Sequence, residues 1–399
     1  MSEWSKVCLG ELIKVKHGFA FPGQFITSEM TDRILVTPGN FCIGGGFKQG
    51  KFKYFSSHDY PAEYQFLGGE LIVTMTDLSK ETDTLGYSAV VPSDGKVYLH
   101  NQRVGLIEPI SAQSCLEFVY WLMRWRDYQE FIVNSASGTS VMHTSPSRIC
   151  EFEFELPPLP EQKAIASVLS SLDDKIDLLH RQNKTLEAMA ETLFRQWFIE
   201  EAKEDWPVKP LKEICQIING FAFKSGSYTD SGYKVIRTLN FTNHKLDTNQ
   251  LVYVSEGTAK EYGKYNLQRK DFLLVMVGAS LGNYAIVTKD ALPALQNQNM
   301  WCFRAFDDCY QNFLNHRLLD VIEENLSGAS GSAREFFQKS VFYEISVALP
   351  PSELIEMYNL QVDPLFNKME SNREQIQTLE KLRDTLLPKL MSGEVRVQY

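Results

Sequence analysis

The chain has 399 residues, 44% of them hydrophobic and 23% charged, which fits a globular protein with a true core and two or three domains. Asp and Glu outnumber Lys and Arg by 50 to 40, for a net charge of −10. That balance excludes a simple DNA-coating protein, because neutralising phosphates takes concentrated positive charge, but it leaves room for a local basic face. Residues 1–155 carry 18 acidic and 13 basic side chains, and residues 206–348 carry 14 and 15. DNA affinity of the isolated chain is therefore expected to be modest, with partners adding positive charge. The longest aromatic-aliphatic run, 118–123, is too short to span a bilayer, and the opening MSEWSK lacks a secretory apolar stretch. A cytoplasmic protein is expected. The seven cysteines include no CxxC pair, and the seven histidines no HxxxH or HExxH pattern, so reduced thiols and no metal site are expected.

Taken in chain order, the first segment returns later. WSKVCLGELIKVKHGFAF (4–21) is echoed by WPVKPLKEICQIINGFAF (206–223), with Trp4, Leu9, Glu11, Gly18, Phe19, Ala20 and Phe21 all repeated 202 positions on. Asn40-Phe41 is echoed by Asn240-Phe241, Asn101-Gln102 by Asn297-Gln298, and the LPP at 156–158 by the LPP at 349–351. Several matches in one order imply two halves of about 200 residues. Each half opens with about 150 residues of short apolar runs, such as GELIVTM (69–75) and DFLLVMV (271–277), broken by Gly, Asn and Asp. These runs predict strands and turns, mixed with helices over 116–132 and 310–325.

Each half closes with a long segment marked at its start by prolines. Apolar positions in the first are Ile165, Leu169, Leu172, Ile176 and Leu179, then Asn183, then Leu186, Ala190, Leu193 and Trp197, spaced alternately by four and three. Adding 193 to each gives Tyr358, Val362, Leu365, Met369, Asn372, Ile376, Leu379, Arg383, Leu386 and Leu390. Both are heptad seams, and pairing the two helices antiparallel buries both stripes. In a register where paired numbers sum to 555, Ile165 meets Leu390, Leu179 meets Ile376, Trp197 meets Tyr358, and Asn183 meets Asn372 as a buried polar pair. The alternative is that each helix packs on its own domain. Pro364 is expected to start or kink the second helix, and Pro388 to bend or end it.

On the doubled GFAF segment, the Asn-Gln pairs and the run LPPLPEQKAIASVLSSLDDKIDLLHRQNKTLEAMAETLFRQWF (156–198), the chain resembles the specificity subunits of type I restriction-modification systems across nearly its whole length. In the second copy LPPSELIEMYN replaces LPPLPEQKAIA, so the proline-glutamine start is incomplete there. The resemblance implies an α+β fold with two similar mixed α/β target recognition domains, separated by two long antiparallel helices that form a coiled coil with pseudo-two-fold symmetry. Its boundaries would be 1–155 and 201–348 for the domains, and 156–200 and 349–399 for the helices. The resemblance further implies a non-catalytic reader of a bipartite site on double-stranded DNA, two methylation subunits, restriction-translocase subunits, and S-adenosylmethionine, ATP and Mg²⁺ bound by those partners rather than by this chain. A helix seam of about 33 residues at 1.5 Å each is roughly 50 Å long, enough for two half-sites on successive grooves.

Base readout draws on Arg or Lys for guanine and Asn or Gln for adenine. Loop residues of those types are Gln24, Asn40, Lys48, Lys51, Lys53, Asn101, Gln102 and Arg103 in the first domain. In the second they are Lys224, Ser225, Arg237, Asn240, Asn243, Asn297 and Gln298. FKQGKFKYF (47–55) interleaves lysines with aromatics, as suits phosphates. Asn and Gly also favour turns for backbone reasons alone. GASLG (278–282) fits a nucleophile elbow around Ser280, but NYAIVTK follows as a strand rather than the helix that motif needs. Gly44-Gly45-Gly46 reads as a flexible loop and has no Lys-Ser/Thr to make a phosphate cradle. Neither Pro-Pro pair fits an amino-methyltransferase motif, and no carboxylate cluster suggests a nuclease. A coiled-coil adaptor that binds only proteins is the alternative from another class.

Overall fold

The computed structural model describes residues 4–77, 83–138, 141–242, 244–248, 250–327 and 337–398. The chain divides into two compact units, Met1–Ile176 with Thr378–Tyr399, and Asp177–Gln377. Each unit holds one sequence repeat together with a stretch of both long helices.

Among the described residues, the first unit has a four-stranded antiparallel sheet in the order Ile13–His17, Val104–Pro109, Leu71–Thr74, Ser88–Val90. A second sheet runs Ile26–Thr27, Lys53–Phe55, Arg33–Val36, Val97–His100, Gln65–Phe66, with the Arg33–Val36 and Val97–His100 pair parallel. Ser5–Cys8 pairs with Glu153–Leu156 alongside. Leu71–Thr74 and Arg33–Val36 are buried at every position, which is why their sequences read as continuous apolar runs instead of alternating ones.

The second unit repeats this plan. Its antiparallel sheet runs Cys215–Asn219, Met300–Ala305, Phe272–Val275, Tyr284–Ile286, in the same order. The other sheet runs Tyr228–Thr229, Val252–Val254, Tyr233–Ile236, Ala294–Gln296, again with its last pair parallel. Val208–Pro210 pairs with Ser346–Ala348. The helix expected over 310–325 is Gln311–Ser327. The one expected over 116–132 is instead two, Leu116–Leu122 and Arg126–Asn134. Trp125 between them is extended (φ −72°, ψ 142°), its ring lies 6.3 Å from Phe152, and the freed carbonyl of Met123 accepts from Gln129 Nε2 at 2.8 Å. Tertiary packing overrides helix propensity there.

The long helices are Leu159–Arg195, prolonged by a π-turn over Gln196–Glu200, and Ser352–Met391. The second runs through both prolines, so Pro364 does not start it, and it ends at Met391, one turn beyond Pro388. Pro364 and Pro388 are exposed, and so are Leu360 and Asp384 four residues earlier. The carbonyl that each proline leaves without a donor therefore faces solvent, where water replaces the lost bond.

Within each unit the helices pack antiparallel. In the first, Ile165 and Leu390 share one core cluster, which also takes in Trp121, Ile149 and Phe154 of the recognition domain. In the second, the Trp197 and Tyr358 rings lie 6.1 Å apart, and Ala190, Phe194, Ile355 and Val362 join the domain core through Phe313 and Leu318. Pairing and packing on the domain thus coexist. Leu169, Ile176, Leu179 and Ile376 are buried, while Leu172, Leu186, Leu193, Leu365, Met369, Leu379 and Leu386 are half-buried, as the rim of a two-helix seam must be. Asn372 Nδ2 donates to Asn183 Oδ1 at 2.9 Å, and Asn183 Nδ2 reaches the Met369 carbonyl at 3.4 Å. At the other polar position, Arg383 Nη1 meets Asp173 Oδ1 at 2.7 Å.

Asn372 is fully buried. Replacing it alone by Ala is expected to cost about 1–3 kcal/mol in urea unfolding, because the Asn183 amide loses its partner. Changing both residues to Leu should recover that loss while loosening the register.

Candidate nucleic-acid interface

The parallel strand pair builds the site. Val36 lies opposite His100, so residues 37–40 and 101–103 leave the first unit's sheet at the same end. Ile236 lies opposite Gln296, which brings 237–240 and 297–299 together in the second unit. Into each rim runs the Gly-Phe segment. Phe19 bridges in parallel to Asn101, donating to the His100 carbonyl at 2.9 Å and accepting from Gln102 N–H at 2.9 Å. Phe221 bridges to Asn297 in the same way, donating to the Gln296 carbonyl at 3.2 Å. A Cβ at Gly18 would collide with the Asn101 carbonyl, and one at Gly220 with the Asn297 carbonyl. The recurring Gly and Asn-Gln are therefore two sides of one clasp.

Several residues expected at DNA turn out to build the rim. Asn40 and Asn240 are almost fully buried, and their Oδ1 atoms accept from Thr37 N–H and Arg237 N–H, each at 2.9 Å. Asn101 Oδ1 accepts from Arg103 N–H at 3.0 Å, and Asn297 Oδ1 from Gln298 N–H at 2.8 Å. These four side chains cap turns, which takes all four off the exposed surface. Exposed at the first rim are Gln102 and Arg103, with Lys48, whose N–H donates to the Asn40 carbonyl at 2.7 Å. Lys53 sits opposite Leu35 near the same end, its Nζ 2.8 Å from Ser28 Oγ, and exposed Lys51 precedes it. The second rim exposes Gln298 and part of Arg237. Gln24, Lys224 and Ser225 precede the outer strands Ile26–Thr27 and Tyr228–Thr229, at the sheet end away from the rim. Asn243 lies outside the described residues.

One feature the sequence reading passed over is how the two rims differ. Turns 37–40 and 237–240 share their backbone hydrogen bonds, yet one presents Thr37 and Gly39 around a buried Pro38 and the other Arg237, Thr238 and Leu239. Leu239 is 78% exposed at its tip. The next position on this scaffold is Lys48 in one rim and Asp247 in the other, both donating N–H to the turn's asparagine carbonyl. The repeated Asn-Phe pairs were the signal, since they mark equivalent turns whose preceding residues differ.

Two sequence motifs change meaning. The glutamate and glutamine of the LPPLPEQK run face inward. Gln162 accepts from Cys115 N–H and donates to the Gln113 and Pro157 carbonyls, and Glu161 accepts from Trp4 Nε1 and Arg396. The Arg396 guanidinium beside it lowers the Glu161 carboxyl below the usual range. Residues 44–46 are not a loose loop: all three glycines have φ between 85° and 93°, and Gly46 N–H donates to the Ser88 carbonyl at 2.8 Å. Ser280 lies in a turn, with Leu281 N–H donating to Gly278, and strand Tyr284–Ile286 follows. That geometry is not a nucleophile elbow.

Among the described residues no cluster of His, Cys, Asp or Glu is arranged to hold a metal, and no helix is long and apolar enough to cross a membrane. A doubled scaffold whose two copies differ in their exposed side chains is the form of a recognition protein that reads two related targets. The family model for the type I restriction modification DNA specificity domain matches residues 1–188 and again 203–381. The chain is 25% identical over 353 residues to the type I restriction enzyme MjaIX specificity subunit of Methanocaldococcus jannaschii, covering 79% of this chain and 73% of that one. To the EcoBI specificity subunit of Escherichia coli it is 22% identical over 430 residues, covering 99% and 87%. The crystal structure of the type I restriction-modification S subunit from M. genitalium has a similar fold, with a TM-score of 0.64 at 19% identity over 97% of this chain and 96% of that one. The chain belongs to the family of type I restriction-modification specificity subunits, non-catalytic proteins that recognise DNA sequence for a complex whose chemistry lies in its partners.

His100 offers a test of the rim. Its Nε2 is 2.8 Å from the Val104 carbonyl, and burial pushes its pKa down to about 4. Gln296 Nε2 makes the equivalent bond to Met300 at 2.9 Å. Because the folded value lies below that of the unfolded chain, unfolded protein binds the extra proton. The His100 contribution is therefore present above pH ~6.5 and lost as pH falls towards about 4. H100Q should keep the hydrogen bond and flatten that part of the acid loss in melting curves taken across this range.

Proposed function

We propose that each unit reads one half of a bipartite DNA site at its rim and that the helix pair sets the interval between the halves. The observation that carries this reading is the doubled rim, one backbone scaffold bearing different exposed side chains. Lys48, Lys51, Lys53, Gln102 and Arg103 contact the first half-site, and Arg237 and Gln298 the second. Lysines position on phosphates, while arginine and glutamine discriminate bases. The net charge of −10 makes the isolated chain a weak binder, so two methylation subunits clasp DNA and helices and supply positive charge. Restriction subunits join outside them. S-adenosylmethionine, ATP and Mg²⁺ are bound by these partners, and the assembly works in the cytoplasm.

Footprinting with the methylation partner tests the reading: two protected patches with a gap support it, and one continuous patch or none defeats it. R237A should weaken the second patch alone, by about 1–3 kcal/mol in affinity. Adding one heptad to both helices lengthens the pair by about 10 Å and should widen the unread gap by roughly three base pairs. An unchanged gap would rule out the helix pair as the spacer.

A further inference from the structure

The triple glycine at 44–46 is held by a buried arginine, Arg124. Arg124, in the break between two helices, is 9% exposed. Its Nε donates to the Gly44 carbonyl at 2.7 Å, and its Nη1 to Tyr120 Oη at 2.6 Å and Asp173 Oδ2 at 2.7 Å. The guanidinium lies over the Trp121 ring at 4.2 Å. A Cβ on Gly45 would come within 2.6 Å of Arg124 Cγ, so glycine is what lets the loop lie flat on this side chain. The other oxygen of Asp173, on the first long helix, takes Arg383 from the second. At its far end the loop runs through Phe47, bridged to Phe41, into Lys48 at the rim. A continuous set of contacts thus leads from the helix pair through Asp173, Arg124 and Gly44 to the rim.

We propose that Arg124 is a positioning residue: it fixes the basic loop of the first rim against the helix pair and so narrows the half-site spacings that the complex accepts. The inference rests on the bipartite reading above. A desolvated guanidinium with a carboxylate, a hydroxyl and a carbonyl in fixed directions is a stiff joint, because any loop shift leaves a buried charge underbonded. A cleft of about 870 Å³, lined by Gly44, Arg124 and Arg383 among others, adjoins the joint and gives an untied loop space to shift. The second unit has a softer counterpart. There Lys245 of the corresponding loop reaches Glu187 on the first long helix at 2.9 Å, with side chains 49% and 45% exposed. Solvent weakens such a pair.

The test uses the chain assembled with its methylation partner, on DNA carrying the wild-type methylated sequence with its native gap or one base pair more or less. Wild type should strongly prefer the native gap. R124K and G45A, which loosen the joint from its two sides, should raise methylation of off-length gaps relative to native by about tenfold. K245A should leave the ratio alone. A ratio within about twofold of wild type in both folded variants overturns the proposal. So does an equal fall at all gaps with a lower melting temperature, which marks Arg124 as merely structural. Indifference to gap length in wild type itself defeats the bipartite reading, and the inference with it.

Discussion

Two apolar helix stripes that cannot both face water govern this protein. Each fully buried Ile or Leu on such a stripe contributes about 1.5–3 kcal/mol. Each stripe is covered in two ways, by the other helix and by the adjoining recognition domain, as Ile165 and Leu390 are in the first unit and Val362 and Tyr358 in the second. Because the second long helix ends in the first unit, chain termini and domain core are closed by one set of contacts. Arg396 on Glu161 and Trp4 completes that closure.

Polar intrusions give the seam its register. Asn372 Nδ2 finds Asn183 Oδ1 only when the two are aligned, and Arg383 finds Asp173 only when the helices run antiparallel at this offset. Such pairs add little net stability, since removing polar groups from water costs nearly what their bonds return. Their effect is to make other alignments worse.

The rim is organised by a different device. A parallel strand pair and a Gly-Phe clasp hold two turns side by side, and buried asparagines carry most of the turns' hydrogen bonds, with the Thr37 hydroxyl adding one to Asn40 in the first copy. Thr37 and Gly39 in one copy and Arg237 and Leu239 in the other sit on equivalent backbone. Targets can then differ while the fold stays the same. The loops are held differently as well: a buried arginine network in one, and in the other the Lys245–Glu187 ion pair, the His244–Tyr284 stack and a bond from Gln377 to Thr248.

Repetition, heptad spacing and the antiparallel register with its asparagine pair were legible in the sequence, because each is a periodicity or an offset that local chemistry fixes. The helix over 311–327 was legible for the same reason. What the sequence left open depended on which surfaces meet. Asn40 and Asn240 look like base readers until the turn closes over them, and the inward roles of Gln162, which satisfies buried backbone, and Glu161, which holds Trp4 and Arg396, show only in the fold. Pro364 and Pro388 read as helix breaks because sequence does not say which face meets solvent. Residues 44–46 read as slack because the arginine that holds them lies about 80 positions away. The sequence determined the doubled plan and the helical seam. Only the tertiary structure decided which polar side chains were consumed in building the rim and which were left exposed, since that depends on long-range contacts no local pattern encodes.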